Sequence, residues 1–154
     1  MRTCFTALLL IAAAAPTPAL AGDGRIEARG GIVFGSGDSE AAAGIAAGYD
    51  FDLGSSAFLG AEVSGDKIFQ DNTRIVFGLT GRAGIKAGGN TRFFATGGYS
   101  TKPCRFCKDS IHAGAGAEFA LGSNAYGKVE YRHFFVDSGG SDFDAVFAGV
   151  GFRF

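Results

Sequence analysis

Asp144-Ala145-Val146-Phe147-Ala148-Gly149-Val150-Gly151-Phe152-Arg153-Phe154 closes the sequence. Counting back from Phe154 in steps of two gives Phe152, Val150, Ala148 and Val146, all apolar. The residues between them are Arg153, Gly151, Gly149, Phe147 and Ala145. A strand sends alternate side chains to opposite faces, so this stretch predicts a strand with one wholly apolar face and one mixed face.

Seven further period-2 segments precede it. They lie near 25–34, 42–51, 57–66, 74–86, 91–100, 110–121 and 126–135. The segment over 74–86 is the clearest: Ile75, Phe77, Leu79, Gly81, Ala83 and Ile85 oppose Arg74, Thr80, Arg82 and Lys86. Near 25–34, Ile26, Ala28, Ile32 and Phe34 oppose Arg25, Glu27 and Arg29; near 126–135, Val129, Tyr131, His133 and Phe135 oppose Lys128, Glu130 and Arg132. Over 110–121 the polar side carries His112 and Glu118; over 91–100 the adjacent Phe93 and Phe94 blur the alternation. Charges fall almost entirely on one side, with Asp144 the exception at the start of its strand.

Composition agrees with a sheet protein of unusual surface. The 154 residues include 26 Gly and 16 Phe and no Trp; glycine permits sharp bends and close backbone approach within a sheet. Arg2 followed by an apolar run to Ala15, broken by Pro16 and Pro18 and ending in Ala19-Leu20-Ala21, predicts a cleaved secretory leader over 1–21. The run is too short to span a bilayer as a helix. Residues 22–154 are then one domain. The formal charge of −1 becomes one unit more negative when Arg2 leaves, a balance that argues against a nucleic-acid partner. No later stretch approaches 18 consecutive apolar residues.

Alternation alone does not say which face points inward. An even count of eight strands of about ten residues behind an export leader favours apolar-out, polar-in. The expected fold is all-β, an eight-stranded antiparallel up-and-down transmembrane β-barrel. Compact connections near 52–56, 87–90 and 122–125 alternate with longer ones near 35–41, 65–73, 101–109 and 136–142. Phe34, Tyr49, Phe51, Phe93, Tyr99, Tyr126, Phe135, Phe152 and Phe154 cluster near strand ends, as interfacial girdles require.

The chain resembles the small eight-stranded outer-membrane proteins, the group of OmpA-barrel, OmpX-like and opacity-protein-like barrels often called a porin family. The residues that carry the resemblance are the closing strand Val146 to Phe154, the Val129-Glu130-Tyr131-Arg132 stretch and the glycine-rich run Ala113 to Glu118. The resemblance implies location in the outer membrane of a Gram-negative envelope. It implies that Val150, Phe152 and Phe154 form part of the signal read by the barrel-assembly machinery, with periplasmic chaperones as earlier partners. Lipopolysaccharide and phospholipid are the expected surroundings, and a monomer without cofactor, metal or enzymatic activity is the expected state.

An eight-stranded barrel is just wide enough for side chains to fill. Glu62, Arg74, Arg82, Glu118, Lys128, Glu130 and Arg132 are therefore expected to meet inside and to pair, because unpaired buried charge is costly. That arrangement predicts a plugged lumen; a narrow gated path for ions or small solutes is the alternative. Cys104 and Cys107 follow export into an oxidising compartment, where a disulfide forms readily. A redox-active pair or a metal half-site remains open beside it, with His112 and His133 the only histidines to complete a zinc site. Haem attachment fails because Lys108 follows the second Cys. His133, on the apolar side near Asp137, Ser138 and Asp142, raises a lipid-A-modifying enzyme as another alternative, and a soluble lipocalin-like binder is a third. Asp38, Glu40, Asp66, Asp71, Asp137 and Asp142 make the loops acidic. Gly35-Ser36-Gly37 reads as a turn, since no helix follows to hold a phosphate.

Overall fold

The computed structural model describes residues 21–35, 37–136 and 140–154. Apart from Ala21, the expected leader lies outside them, as do Asp137 and Ser138. Eight strands form: β1 (Gly22–Gly35), β2 (Asp38–Leu53), β3 (Ala57–Ile68), β4 (Ile75–Ala87), β5 (Thr91–Ser100), β6 (Ser110–Ala120), β7 (Ala125–Val136) and β8 (Phe143–Arg153). Each pairs antiparallel with the next, and β8 returns to β1 to close the barrel. The closing seam sets Ile26 opposite Phe152, Ala28 opposite Val150 and Ile32 opposite Val146. The apolar face of the C-terminal strand thus continues directly into that of β1. Closure removes both sheet edges and pairs the backbone within the sheet, the condition a lipid-spanning sheet must meet.

The structure decides the orientation of the two faces. Ile45 is 70 % exposed, Leu79 61 % and Val63 57 %, while Arg25, Glu62, Arg82, Glu118, Lys128, Glu130 and Arg132 are buried. Apolar side chains cover the outside around the whole circumference, far beyond the patch a water-soluble monomer exposes. A lipocalin-like binder needs the opposite arrangement, with its apolar face inward, and that alternative is overturned.

Glycine makes the narrow interior possible. A Cβ on Gly116 would lie 2.5 Å from the Phe94 ring, and one on Gly48 would lie 3.0 Å from the Arg25 guanidinium. Both glycines sit on the inward face, directly opposite these large side chains on the neighbouring strand. At one end, which we term the turn end, are both termini of the barrel and the connections 54–56, 88–90 and 121–124, with Gly54 and Gly88 at φ 73° and 64°. The loop end carries 69–74, 101–109 and 140–142. The long connection expected near 35–41 is corrected: Gly35 pairs with Asp38, so only Ser36 and Gly37 separate the strands. Both strands continue their hydrogen-bonded ladder towards the tip, where Gly37 at φ 99° takes the left-handed backbone that a tight reversal requires.

Candidate functional site

The lumen is the most constrained region of the molecule. Its centre is Glu62 on β3, whose carboxylate lies 2.8 Å from Arg25, 2.9 Å from Arg132, 3.2 Å from Arg29 and 3.9 Å from Lys128. Glu130 accepts from Arg132 at 2.5 Å and lies 2.9 Å from Lys128, which also reaches Glu27 at 2.7 Å. Arg29 additionally forks onto Asp66 at 2.6 and 2.8 Å. Towards the turn end Arg82 meets Glu118 at 2.8 Å and Asp50 at 3.4 Å, and Arg153 also pairs with Glu118. The two-pronged Arg–carboxylate contact fixes geometry as well as charge.

Two aromatic layers bracket this network. Near the turn end Phe58, Phe94 and Tyr126 are buried among the arginines. Arg82 lies 4.3 Å from the Phe94 ring centroid and 5.1 Å from Phe58, and Arg153 lies 4.3 Å from Tyr126. A desolvated guanidinium over an aromatic face gains cation–π attraction where hydrogen-bond partners run out. Near the loop end Phe134 stacks on Phe143 at 4.5 Å, and Phe147, Ala42 and Ala145 complete a small apolar core. A cavity of about 30 Å³ beneath it is lined by Phe134, Phe143, Phe147, Ser100, Ser110 and Pro103. The turn end instead opens into a polar vestibule of about 710 Å³ lined by Lys86, Arg92, Asn124 and Arg153. Between network and apolar core, His112 bonds to the Thr80 hydroxyl through Nε2 and to Ser100 through Nδ1, both at 3.0 Å.

Of the charges expected to meet inside, Glu62, Arg82, Glu118, Lys128, Glu130 and Arg132 are brought together. Arg74 is not. Its side chain is exposed in the segment just before β4, and its backbone N–H donates to the Pro103 carbonyl at 2.7 Å. Alternation gave Arg74 the inward parity, but β4 begins one residue later and the chain has already turned outward over the rim. Arg25, Glu27, Arg29 and Asp50 share the lumen and were legible as polar-face residues. Asp66, which alternation places on the polar side of the 57–66 segment and which was also counted among the loop acids, lies in the lumen: it pairs with Val76 in the β3–β4 ladder and faces Arg29. Tyr126 is corrected from girdle to lumen, fully buried with its hydroxyl donating to Glu27 at 3.2 Å. The signal was available, since Tyr126 shares parity with Lys128 and Glu130 and faces Gly151 across the β7–β8 ladder.

At the loop end Cys104 and Cys107 form a disulfide. The hairpin that holds them is tied to its neighbour by an antiparallel bridge from Cys104 to Thr73. Labelling the purified, unreduced protein with a thiol reagent is expected to modify neither cysteine, and to modify both after reduction; reactive thiols before reduction would refute the bridge. The histidines do not approach this pair: His112 is in the lumen, and His133 Nδ1 lies 2.7 Å from Asp144 on the outer wall, with Asp142 3.8 Å from Nε2. Tyr131 donates to the same Asp144 carboxylate at 2.5 Å. His133 thus faces two carboxylates. Asp109, at the base of the disulfide hairpin, is held below the usual carboxylate range by hydrogen bonds from Tyr99 and the Lys102 N–H. Val150 and Phe152 point outward from β8, with Phe154 exposed just beyond it.

A closed eight-stranded up-and-down barrel with an apolar outside and a charged inside is the fold of the small outer-membrane β-barrels. No protein-family model and no curated protein sequence matches the chain. Among solved structures it is similar to the N-terminal β-barrel domain of Pseudomonas aeruginosa OprF, with TM-score 0.61, 17 % identity and coverage of 86 % of this chain and 97 % of that one. It is similar to the attachment invasion locus protein Ail of Yersinia pestis at TM-score 0.60 and 13 % identity, with the same coverage of 86 % and 97 %. Neisserial surface protein A follows at TM-score 0.57 and 14 % identity, again covering 86 % and 97 %. At such identity the likeness concerns the fold.

Proposed function

We propose that the protein is an integral outer-membrane barrel of a Gram-negative envelope, with a structural and interaction role and no enzymatic one, whose lumen is closed by its own ion-pair network. The observation that carries this reading is the set of pairings around Glu62: the cations of the network find carboxylate oxygens at 2.5–2.9 Å. Charges so paired hold one another across the lumen, and a passing ion would have to break several contacts at once. The apolar core at the loop end adds a second barrier, since a dry aromatic constriction opposes wetting. In this reading the turn end and both barrel termini face the periplasm, the loop end faces outward, and lipopolysaccharide and phospholipid are the lateral partners. The outward Val150, Phe152 and Phe154 belong to the signal taken up by the assembly machinery, after export by the cleaved leader and escort by chaperones.

Planar-bilayer recording tests the closed lumen. The wild-type protein is expected to give no sizeable conductance steps, and Arg82→Ala or Glu130→Ala to give small or unstable ones. A large, steady wild-type pore would overturn the reading and favour the gated path.

A further inference from the structure

The loop end is electrically divided. Asp38, Glu40, Asp142 and Asp144 lie at the rim over β1, β2, β7 and β8, whereas Arg74, Lys102, Arg105 and Lys108 lie over β3 to β6. The expectation of acidic loops holds for one half. The basic half is also built as one unit. Cys104 pairs with Thr73 as a β-bridge, the Arg74 N–H donates to Pro103, and the disulfide closes the tip. In the adjoining loop Thr73 Oγ1 lies 2.7 Å from the Ile68 carbonyl and 2.8 Å from that of Gln70, and its one proton serves either, which rounds off the turn around Asn72.

Two large apolar side chains stand out from this unit. Phe106 is 92 % exposed, with the Arg105 guanidinium 6.0 Å from its ring centroid, and Phe69 is 62 % exposed. An aromatic residue held in water by a covalent staple, flanked by cations, has the composition of an interfacial lipid contact. Of the two acids in the same region, Asp109 is engaged by Tyr99 and the Lys102 N–H, which leaves Asp71 as the other. The reach also suits a lipid of the surrounding leaflet. A limb of four residues extends at most about 14 Å beyond the strand end, comparable to the roughly 5–8 Å polar layer of one leaflet plus the first sugars above it.

We propose that the joined tips of the β3–β4 and β5–β6 loops bind the phosphorylated saccharide headgroup of a lipid in the surrounding outer leaflet. Arg74, Lys102, Arg105 and Lys108 supply the charge complementary to phosphate, and Phe106 and Phe69 cover the apolar faces of the sugar ring and the upper glycerol or acyl region. The staple limits the ordering entropy that binding would otherwise cost. This inference rests on the outer-membrane reading above and names the part of the surface that would meet the lipid.

The sequence contains no Trp, so Phe106→Trp places a single reporter at the tip. The full barrel carrying it is reconstituted into phosphatidylcholine bilayers alone, with bisphosphorylated lipid A, or with the same lipid A after enzymatic removal of its phosphates. A fourth sample adds soluble inositol hexaphosphate to the phosphatidylcholine bilayer. Expected with bisphosphorylated lipid A alone is a blue shift of the emission and reduced quenching by acrylamide, both reversed at high salt, which screens exposed charge. Each Lys or Arg changed to Gln is expected to raise the lipid A fraction at half-effect about five-fold, the equivalent of ~1 kcal/mol per cation at an anionic surface. The same shift without phosphates, with soluble polyphosphate only, or in the variant lacking all four cations would overturn the proposal, as would no shift at all. Heat-dependent mobility in SDS is read on every sample. A chain that fails to insert counts against the outer-membrane reading; one that inserts without responding counts against the lipid site alone.

Discussion

Replacing Glu62 by Ala is expected to lower folding stability by about 3–5 kcal/mol, the cost of leaving a buried charge without its partner. The effect is large because one carboxylate serves Arg25, Arg29 and Arg132 directly and Lys128 at longer range. Their remaining carboxylates, Asp50, Asp66, Glu130 and Glu27, are already engaged. Glu62→Gln retains an acceptor oxygen and is expected to fall between the wild type and Glu62→Ala. Asp52→Ala at the vestibule, where the pair with Lys86 is partly open to water, is expected to cost no more than about 1 kcal/mol. Urea unfolding in bilayers, followed by mobility in SDS, measures all three. A Glu62→Ala protein as stable as the wild type would show that the network contributes no net pairing and that its cations are solvated in the lumen.

Val63→Arg carries the second large effect, on the opposite face of the same strand. Val63 lies near the middle of β3, points away from the lumen and is 57 % exposed. In a bilayer an arginine at mid-depth costs roughly 2–4 kcal/mol, falling to about 0–1 kcal/mol near the interface. Phe34→Arg, beside the end of β1, is therefore expected to be mild where Val63→Arg is severe. Were both substitutions neutral in bilayers, the outer face would not be meeting hydrocarbon. Glu62 and Val63 are neighbours in sequence, so the pair of experiments separates the two environments that one strand divides.

The contrast between these neighbours explains how much could be read without coordinates. Strand positions and face membership follow from a period of two, a local property, and all eight strands lie where alternation placed them. Errors arose where a local rule met a strand end. Arg74 has inward parity but precedes β4, and its backbone is drawn towards Pro103 from a loop remote in sequence. Tyr126 was read by nearness to a strand end, although its parity and the glycine opposite it were the better guides.

Pairing partners were less legible still. Glu118 and Lys128 face each other in the β6–β7 ladder. Yet Glu118 bonds Arg82 and Arg153, while Lys128 turns to Glu27 and Glu130. Long side chains in a narrow tube cross to other walls, and which wall they meet depends on closure. The apolar core of Phe134, Phe143 and Phe147 was missed because the expected β7–β8 connection, near 136–142, left unread that Phe134 and Phe143 pair directly across that hairpin.

The amino-acid sequence by itself determined the number of strands, their antiparallel order, the residues on each face and the proximity of the two cysteines. These depend on contacts between near neighbours and on backbone geometry that repeats every two residues. The tertiary structure alone decided that Glu62 is the centre of the inner network, and that the β3–β4 and β5–β6 loops form a single tip. Long side chains reach across a tube to walls remote in sequence, and only the closed barrel fixes which of them meet.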